Sequence, residues 1–279
     1  MTTQTSTVEQ TTSADGTTIA YERYGSGPVV ALVGGAFCDR GALRDLAMNL
    51  AEHGFTGVTY DRRGRGDSGD TQPGAGNLRR DAVQREIEDL TAVIEANRES
   101  DSPAYVFGVS SGGALVIEAL AAGAPIDKGS AIEVPYRSEA WPPAPDDYIG
   151  TLERFEAAGD REGILRYFNH EVVGMPDEMV DGMVGTPMWE PMLAMTYTLK
   201  YDGLCLGGDE QGLPTETLAK VTVPFLAVCS SGTAMPWLHD SAQVLADALP
   251  HARAVELPGA FHEVPAPVLA PVLAEFFRS

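Results

Sequence analysis

The stretch Gly108-Val109-Ser110-Ser111-Gly112-Gly113 constrains this chain more than any other, because it joins two elements of different character. Before it runs the apolar Tyr105-Val106-Phe107, and after it opens an apolar helical segment, Gly113 to Ala122. A Gly-x-Ser-x-Gly turn between strand and helix bends the serine into a strained conformation. Glycines flank it because a β-carbon there would strike the adjoining strand and helix. The turn lifts the hydroxyl above the sheet edge, at a helix N-terminus whose N–H groups favour developing negative charge. Ser110 is therefore the candidate nucleophile.

The rest of the chain supplies a sheet to hold such a turn. Val29 to Val33, Thr56 to Tyr60, Ala104 to Gly108, Val223 to Cys229 and Arg253 to Leu257 predict strands. Helical spacing fills Ala42 to His53, stopped by Gly54, then Asp81 to Asn97, Leu238 to Ala248 and Val268 to Phe277. Continuous apolar strands alternating with helices imply an α/β fold, a mostly parallel sheet with helices on both faces. Thr18 to Glu22 alternates weakly, and Gly25 and Gly27 separate it from Val29, which predicts an early hairpin feeding the buried strand. After Pro135 the pattern changes. Residues 137–213 contain no convincing strand, with helical segments at Tyr148 to Ala158, Arg161 to His170 and Glu178 to Val184. The expected organisation is one core domain, residues 1–136 and 214–279, with residues 137–213 as a helical cap.

Composition excludes some partners. A formal charge of −21 disfavours nucleic acid and anionic membrane surfaces. No stretch approaches the roughly eighteen apolar residues of a membrane helix. Met1 to Gln10 is polar and lacks a basic region followed by an apolar one, and Cys38, Cys205 and Cys229 form no close pair. A cytoplasmic protein with free thiols, monomer or homodimer, is expected. No metal-ligand or nucleotide-binding motif appears, so neither metal nor cofactor is expected.

A serine nucleophile needs a base. Of five histidines, His53 ends a helix, His170 lies in the insertion, His239 starts a helix and His251 sits in a turn. His262, in Leu257-Pro258-Gly259-Ala260-Phe261-His262, falls in a loop between the last strand and last helix. Loops at the carboxyl ends of parallel strands gather over one edge of the sheet, so His262 can meet Ser110.

Together these motifs resemble the α/β-hydrolase fold family over nearly the whole length. Gly34-Gly35-Ala36 stands where the family usually shows His-Gly-x, Gly34 being a departure. Asp61-Arg62-Arg63-Gly64-Arg65-Gly66-Asp67-Ser68 matches the Asp-x-Arg-Gly-x-Gly-x-Ser turn, expected here to be structural, internally ion-paired and away from the nucleophile. The resemblance implies an oxyanion hole from the N–H groups of Ala36 and Ser111. The usual acid is missing: Cys229 to Trp237 contains no Asp or Glu, and Asp240 comes later, inside a helix. Glu133 ends the preceding strand, 23 residues after Ser110, and zearalenone lactonases resemble this chain in a Glu-x-Pro at that point. Glu133, Asp240 and a dyad without an acid all stay open, Glu133 being favoured.

Six of nine methionines fall between Met175 and Met195, interleaved with Trp189, Tyr197 and Tyr201. Flexible thioethers suit an adaptable apolar pocket wall. Met188, Trp189 and Met192, with Phe37 and Trp237, are expected to face a hydrophobic small-molecule substrate. The expected function is hydrolysis of a carboxylic ester or lactone. Alternatives are a lyase, cyclase or acyltransferase on the same scaffold, or a non-catalytic binding protein. Haloalkane dehalogenases and epoxide hydrolases resemble the fold but use an aspartate nucleophile, against which Ser110 argues.

Overall fold

The computed structural model describes residues 7–71, 78–137, 141 and 144–279, with residues 78–80 described by backbone alone. Of the polar Met1 to Gln10 segment, residues 1–6 lie outside that range. Eight strands form one sheet: β1 (Glu9–Thr12), β2 (Thr18–Gly25), β3 (Val29–Val33), β4 (Thr56–Tyr60), β5 (Ala104–Val109), β6 (Lys128–Ile132), β7 (Phe225–Ser230) and β8 (Ala252–Leu257). Their order is β1-β2-β4-β3-β5-β6-β7-β8. Strands β1 and β2 pair antiparallel at one edge, β2 against β4, and every pairing from β4 onward is parallel.

The first helices packed on the sheet are α1 (Arg44–Glu52), α2 (Leu78–Asn97) and α3 (Ser111–Ala121). Between β6 and β7 come α4 (Tyr148–Ala157), α5 (Arg161–Tyr167), α6 (Asp177–Met183), α7 (Trp189–Met195), α8 (Leu199–Cys205) and α9 (Thr215–Leu218). Helices α10 (Pro236–Ala248) and α11 (Ala266–Arg278) complete the chain.

Central strands β3, β5 and β7 are almost wholly apolar because both their faces are covered. In β3, Val29, Ala31 and Val33 point into a core shared with α2, α3 and α10, while Val30 and Leu32 point into one shared with α1 and α11. Burying each such side chain contributes about 1.5–3 kcal/mol.

The early hairpin does not form as expected. β2 and β3 are not neighbours; β4 lies between them, antiparallel to β2 and parallel to β3. Gly25 and Gly27 instead let the chain pass tightly beside the loop after α1. A β-carbon on Gly27 would lie 2.3 Å from the Gly54 carbonyl oxygen. The hairpin partner of β2 is β1, an exposed edge strand of Glu, Gln and Thr.

Three helices of the β6–β7 segment, α7, α8 and the four-residue α9, escape the sequence reading. α8 carries Lys200, Asp202 and Gly203, which look like a solvated or broken stretch, yet all three are buried. Lys200 pairs with Glu156 at 2.6 Å, and a β-carbon on Gly203 would sit 2.4 Å from the Tyr148 ring. Close helix packing, not flexibility, explains that glycine.

Candidate active site

Parallel register brings the ends of five strands, β3 and β5 to β8, to one edge. Val33 pairs with Gly108, Val109 with Ile132, Ile132 with Val228, and Ser230 with Leu257. The segments that leave those strands therefore carry Gly34 to Phe37, Ser110, Glu133 and, after a short loop, His262 over the same end of the sheet. Helix α3 starts at Ser111, directly beneath.

Ser110 holds φ 55° and ψ −124°, a region that side-chain-bearing residues rarely occupy. The glycines around it are required by contact. A β-carbon on Gly112 would lie 2.4 Å from the Val33 oxygen, and one on Gly108 would lie 2.5 Å from the Gly112 oxygen. Strain is concentrated here. Of seven described non-glycine residues with positive φ, Phe37, Ser110, Gln211 and His262 line one cavity, and Glu133 touches His262.

That cavity encloses about 730 Å³ and opens onto Ser110, Ser111, Ala36 and His262. Its walls are mainly apolar, including Phe37, Phe168, Leu206, Trp237 and Leu238. Trp141, also in the lining, stacks on Trp237. A turn of π-helix at Phe168–Val172 contributes Phe168, Asn169 and Val172 to the wall.

Of the five expected pocket residues, Phe37 and Trp237 line this cavity, and Met188, Trp189 and Met192 do not. Trp189 and Met192 face Leu165 in a small separate core, and Met188 is exposed. The helical turn of α7 that directs Trp189 and Met192 inward directs them onto α5, so their spacing reports helix packing. Met175 and Met235 are the methionines that reach the cavity.

Glu133 is fully buried, and its Oε2 lies 3.0 Å from Nδ1 of His262. The contact is short but bent. The same oxygen also accepts the His262 backbone N–H at 3.0 Å, so the ring nitrogen meets the distance of a hydrogen bond without its angle. Oε1 accepts the Ser230 N–H at 2.9 Å and the Thr233 hydroxyl at 2.6 Å. Burial alone would push this carboxyl up; the bonds from His262, Thr233 and Ser230 outweigh it and hold the group below its usual value. The end of β7 and the loop after it, where the family's usual acid is missing, thus supply donors to a carboxylate just after β6. Asp240 sits on α10, where it pairs with His239 at 3.2 Å, and does not line the cavity.

On the other side of Ser110, Gly35 to Cys38 form a turn closed by Cys38 N–H donating to the Gly35 oxygen at 3.3 Å, with Phe37 at φ 58°. Such a turn leaves the N–H of its second residue, Ala36, outside its own hydrogen bond. Ser111 N–H, in the first turn of α3, has no intrahelical acceptor.

The ion pairs of the Asp61 to Ser68 turn run not within it, as expected, but to partners elsewhere in the chain, and the turn is not remote from the nucleophile. Arg63 pairs with Asp89 at 2.8 Å and with Asp15 at 3.0 Å. Arg62 and Arg65 reach instead toward the nucleophile elbow, the Gly108–Gly112 turn that carries Ser110, pairing with Asp202 of α8 at 2.6 and 2.7 Å. Asp202 also accepts the Ser111 hydroxyl at 2.7 Å. Sequence reasoning missed Asp202 because nothing local marks it; its partners lie 91 to 140 residues away.

The profile of the alpha/beta hydrolase family matches residues 29–273. The chain belongs to that family. An alpha/beta hydrolase from Sphaerobacter thermophilus is 43% identical with a TM-score of 0.84, covering 96% of this chain and 100% of the other. The uncharacterized hydrolase YraK of Bacillus subtilis (strain 168) is 33% identical over 108 residues, 39% of this chain and 37% of YraK, so the match spans little over a third of that protein. The enol-lactonase of Burkholderia xenovorans shares the hydrolase fold at 16% identity, with a TM-score of 0.64 over 97% of this chain and 100% of its own.

Among the described residues, Cys229, His239 and Glu256 place potential ligand atoms within 4.8 Å of one another. None of the three lines the cavity. No described helix is long and apolar enough to cross a membrane.

Proposed function

We propose that this alpha/beta hydrolase cleaves a carboxylic ester or lactone of a hydrophobic small molecule through an acyl-enzyme. The observation that carries the reading is an apolar cavity onto which strained Ser110 and Glu133-backed His262 both open.

In this mechanism His262 takes the Ser110 proton as the hydroxyl attacks the substrate carbonyl, and the carbonyl electron pair moves onto oxygen. Glu133 orients the imidazole and stabilises its protonated form; buried beside it, the carboxylate acts with little solvent screening. The N–H groups of Ala36 and Ser111 receive the oxyanion. Collapse of the tetrahedral adduct expels the alcohol, which takes its proton from His262. Water activated by the same ring then releases the acid. Residues 137–213 act as a cap, with Phe168 and Val172 giving the pocket its apolar wall. No cofactor enters these steps.

The test is turnover of a p-nitrophenyl acyl ester series by the wild-type protein and Ser110→Ala. Burst kinetics in the wild type and loss of at least about 10³-fold in the variant are expected. Equal, weak activity in both would overturn the reading and favour a lyase or a binder.

A further inference from the structure

We propose that Asp202 is a positioning residue for the oxyanion hole, fixing the N–H groups of Ala36 and Ser111 relative to one another through Arg65 and the Ser111 hydroxyl. The inference rests on the serine-hydrolase reading above and deepens it.

The two donors belong to separate segments, one after β3 and one after β5. An oxyanion hole tolerates only about 0.5 Å of misplacement. On one side, Asp202 Oδ1 accepts the Ser111 hydroxyl at 2.7 Å, holding the first turn of α3 by its side chain while leaving the backbone N–H to the cavity. On the other side, Arg65 Nη2 donates to Asp202 Oδ2 at 2.7 Å, and Nη1 of the same guanidinium donates to the Gly35 oxygen at 2.6 Å. The Gly35 C=O and the Ala36 N–H belong to one planar trans peptide and point in opposite directions. Holding the oxygen on Arg65 therefore aims the Ala36 N–H away from it. The cation at the carbonyl end also polarises the peptide and strengthens the N–H as a donor.

Arg62 reinforces the arrangement, donating to the Gly34 oxygen at 3.2 Å and to Asp202 Oδ1 at 2.6 Å. This supplies rigidity at the position where the family's usual histidine is replaced by Gly34, whose absent β-carbon would otherwise lie 2.7 Å from that of Cys38. Charge is balanced: Arg62 and Arg65 face Asp202 and Glu86, with all four groups buried. Asp202 thus adds no net negative field to the place where negative charge develops. A purely structural salt bridge would need neither the Ser111 hydroxyl nor a guanidinium shared with the oxyanion loop.

The test compares a trifluoromethyl ketone with the matching methyl ketone. The first forms a tetrahedral adduct: Ser110 Oγ bonds to carbon, the carbonyl electron pair moves to oxygen, and the proton passes to His262. The second reports ground-state binding. Ser111→Ala keeps the backbone N–H and every arginine pair; Arg65→Lys keeps the charge but loses the fork that reaches both Asp202 and Gly35. Each variant is expected to lose about 10- to 100-fold in trifluoromethyl ketone affinity and in kcat, with methyl ketone affinity and KM within about twofold. Trifluoromethyl ketone affinity within twofold of wild type in both variants would overturn the proposal. A wild-type protein that forms no adduct would instead overturn the serine-hydrolase reading, and this inference with it.

Discussion

Replacing Glu133 with glutamine retains shape and burial while changing one oxygen to an amide nitrogen. In the native site the carboxylate faces donors on both sides: Ser230 N–H and Thr233 hydroxyl bond to Oε1 and His262 N–H to Oε2, with ring Nδ1 3.0 Å from Oε2. An amide can satisfy only one side. With its NH₂ toward His262, it meets a backbone N–H donor and drives Nδ1 to become an acceptor, so Nε2 carries the proton and cannot take one from Ser110. With its NH₂ toward β7, it confronts the Ser230 N–H. Either orientation leaves a buried donor unmatched, costing about 1–3 kcal/mol of stability. The loss of rate is larger, about 10³- to 10⁴-fold in kcat/KM or roughly 4–5.5 kcal/mol, from the wrong tautomer and the lost anion together. Stopped-flow hydrolysis of p-nitrophenyl esters, with thermal unfolding alongside, measures both. Glu133→Gln within tenfold of wild-type kcat/KM, in a folded protein, would refute the assignment of the acid.

Asp240→Asn is expected to leave kcat within about twofold, since its partner is His239 on α10; a collapse in ester turnover would restore Asp240 as the acid. Gly112→Ala should lower Tm by several degrees, a cost of about 1–3 kcal/mol, because its β-carbon would lie 2.4 Å from the Val33 oxygen; an unchanged Tm would contradict the close strand–helix approach. Glu22 is held at about 2 against an ordinary 4.5; burial opposes this, and bonds from Arg44 and Tyr24 outweigh it. Its folded value lies below its unfolded one, so its stabilisation is complete above pH 4.5 and disappears as pH falls toward 2. Glu22→Gln should therefore flatten the Tm-against-pH curve in that window, and parallel curves would contradict it.

Strands β3, β5 and β7 were legible because burial on both faces writes itself as a nearly unbroken apolar run, while β4 and β8 carry only partial runs. β1 was not legible, since a four-residue exposed edge strand of Glu9-Gln10-Thr11-Thr12 needs no such run. The hairpin misreading has a related cause: glycines at 25 and 27 signal a tight passage, and only the tertiary packing decides which strand lies alongside. α8 is hidden by Lys200, Asp202 and Gly203, whose burial is made possible by partners far away in sequence. At the site, the elbow and the position of His262 follow from local pattern and sheet topology. The Asp202 link does not, because it joins a core turn, the elbow and the β6–β7 segment across three separate parts of the chain. The methionine run misled for a plain reason. Spacing of three or four fixes which face of a helix is apolar, but not whether that face meets a cavity or another helix.

The central claim is that Ser110 and His262 work on one carbonyl. Labelling with a fluorophosphonate, followed by peptide mass mapping, addresses it directly. The expected result is a single adduct on Ser110, absent in Ser110→Ala and slowed at least about 10³-fold in His262→Ala. An adduct on another residue, or equal labelling rates with and without His262, would contradict it.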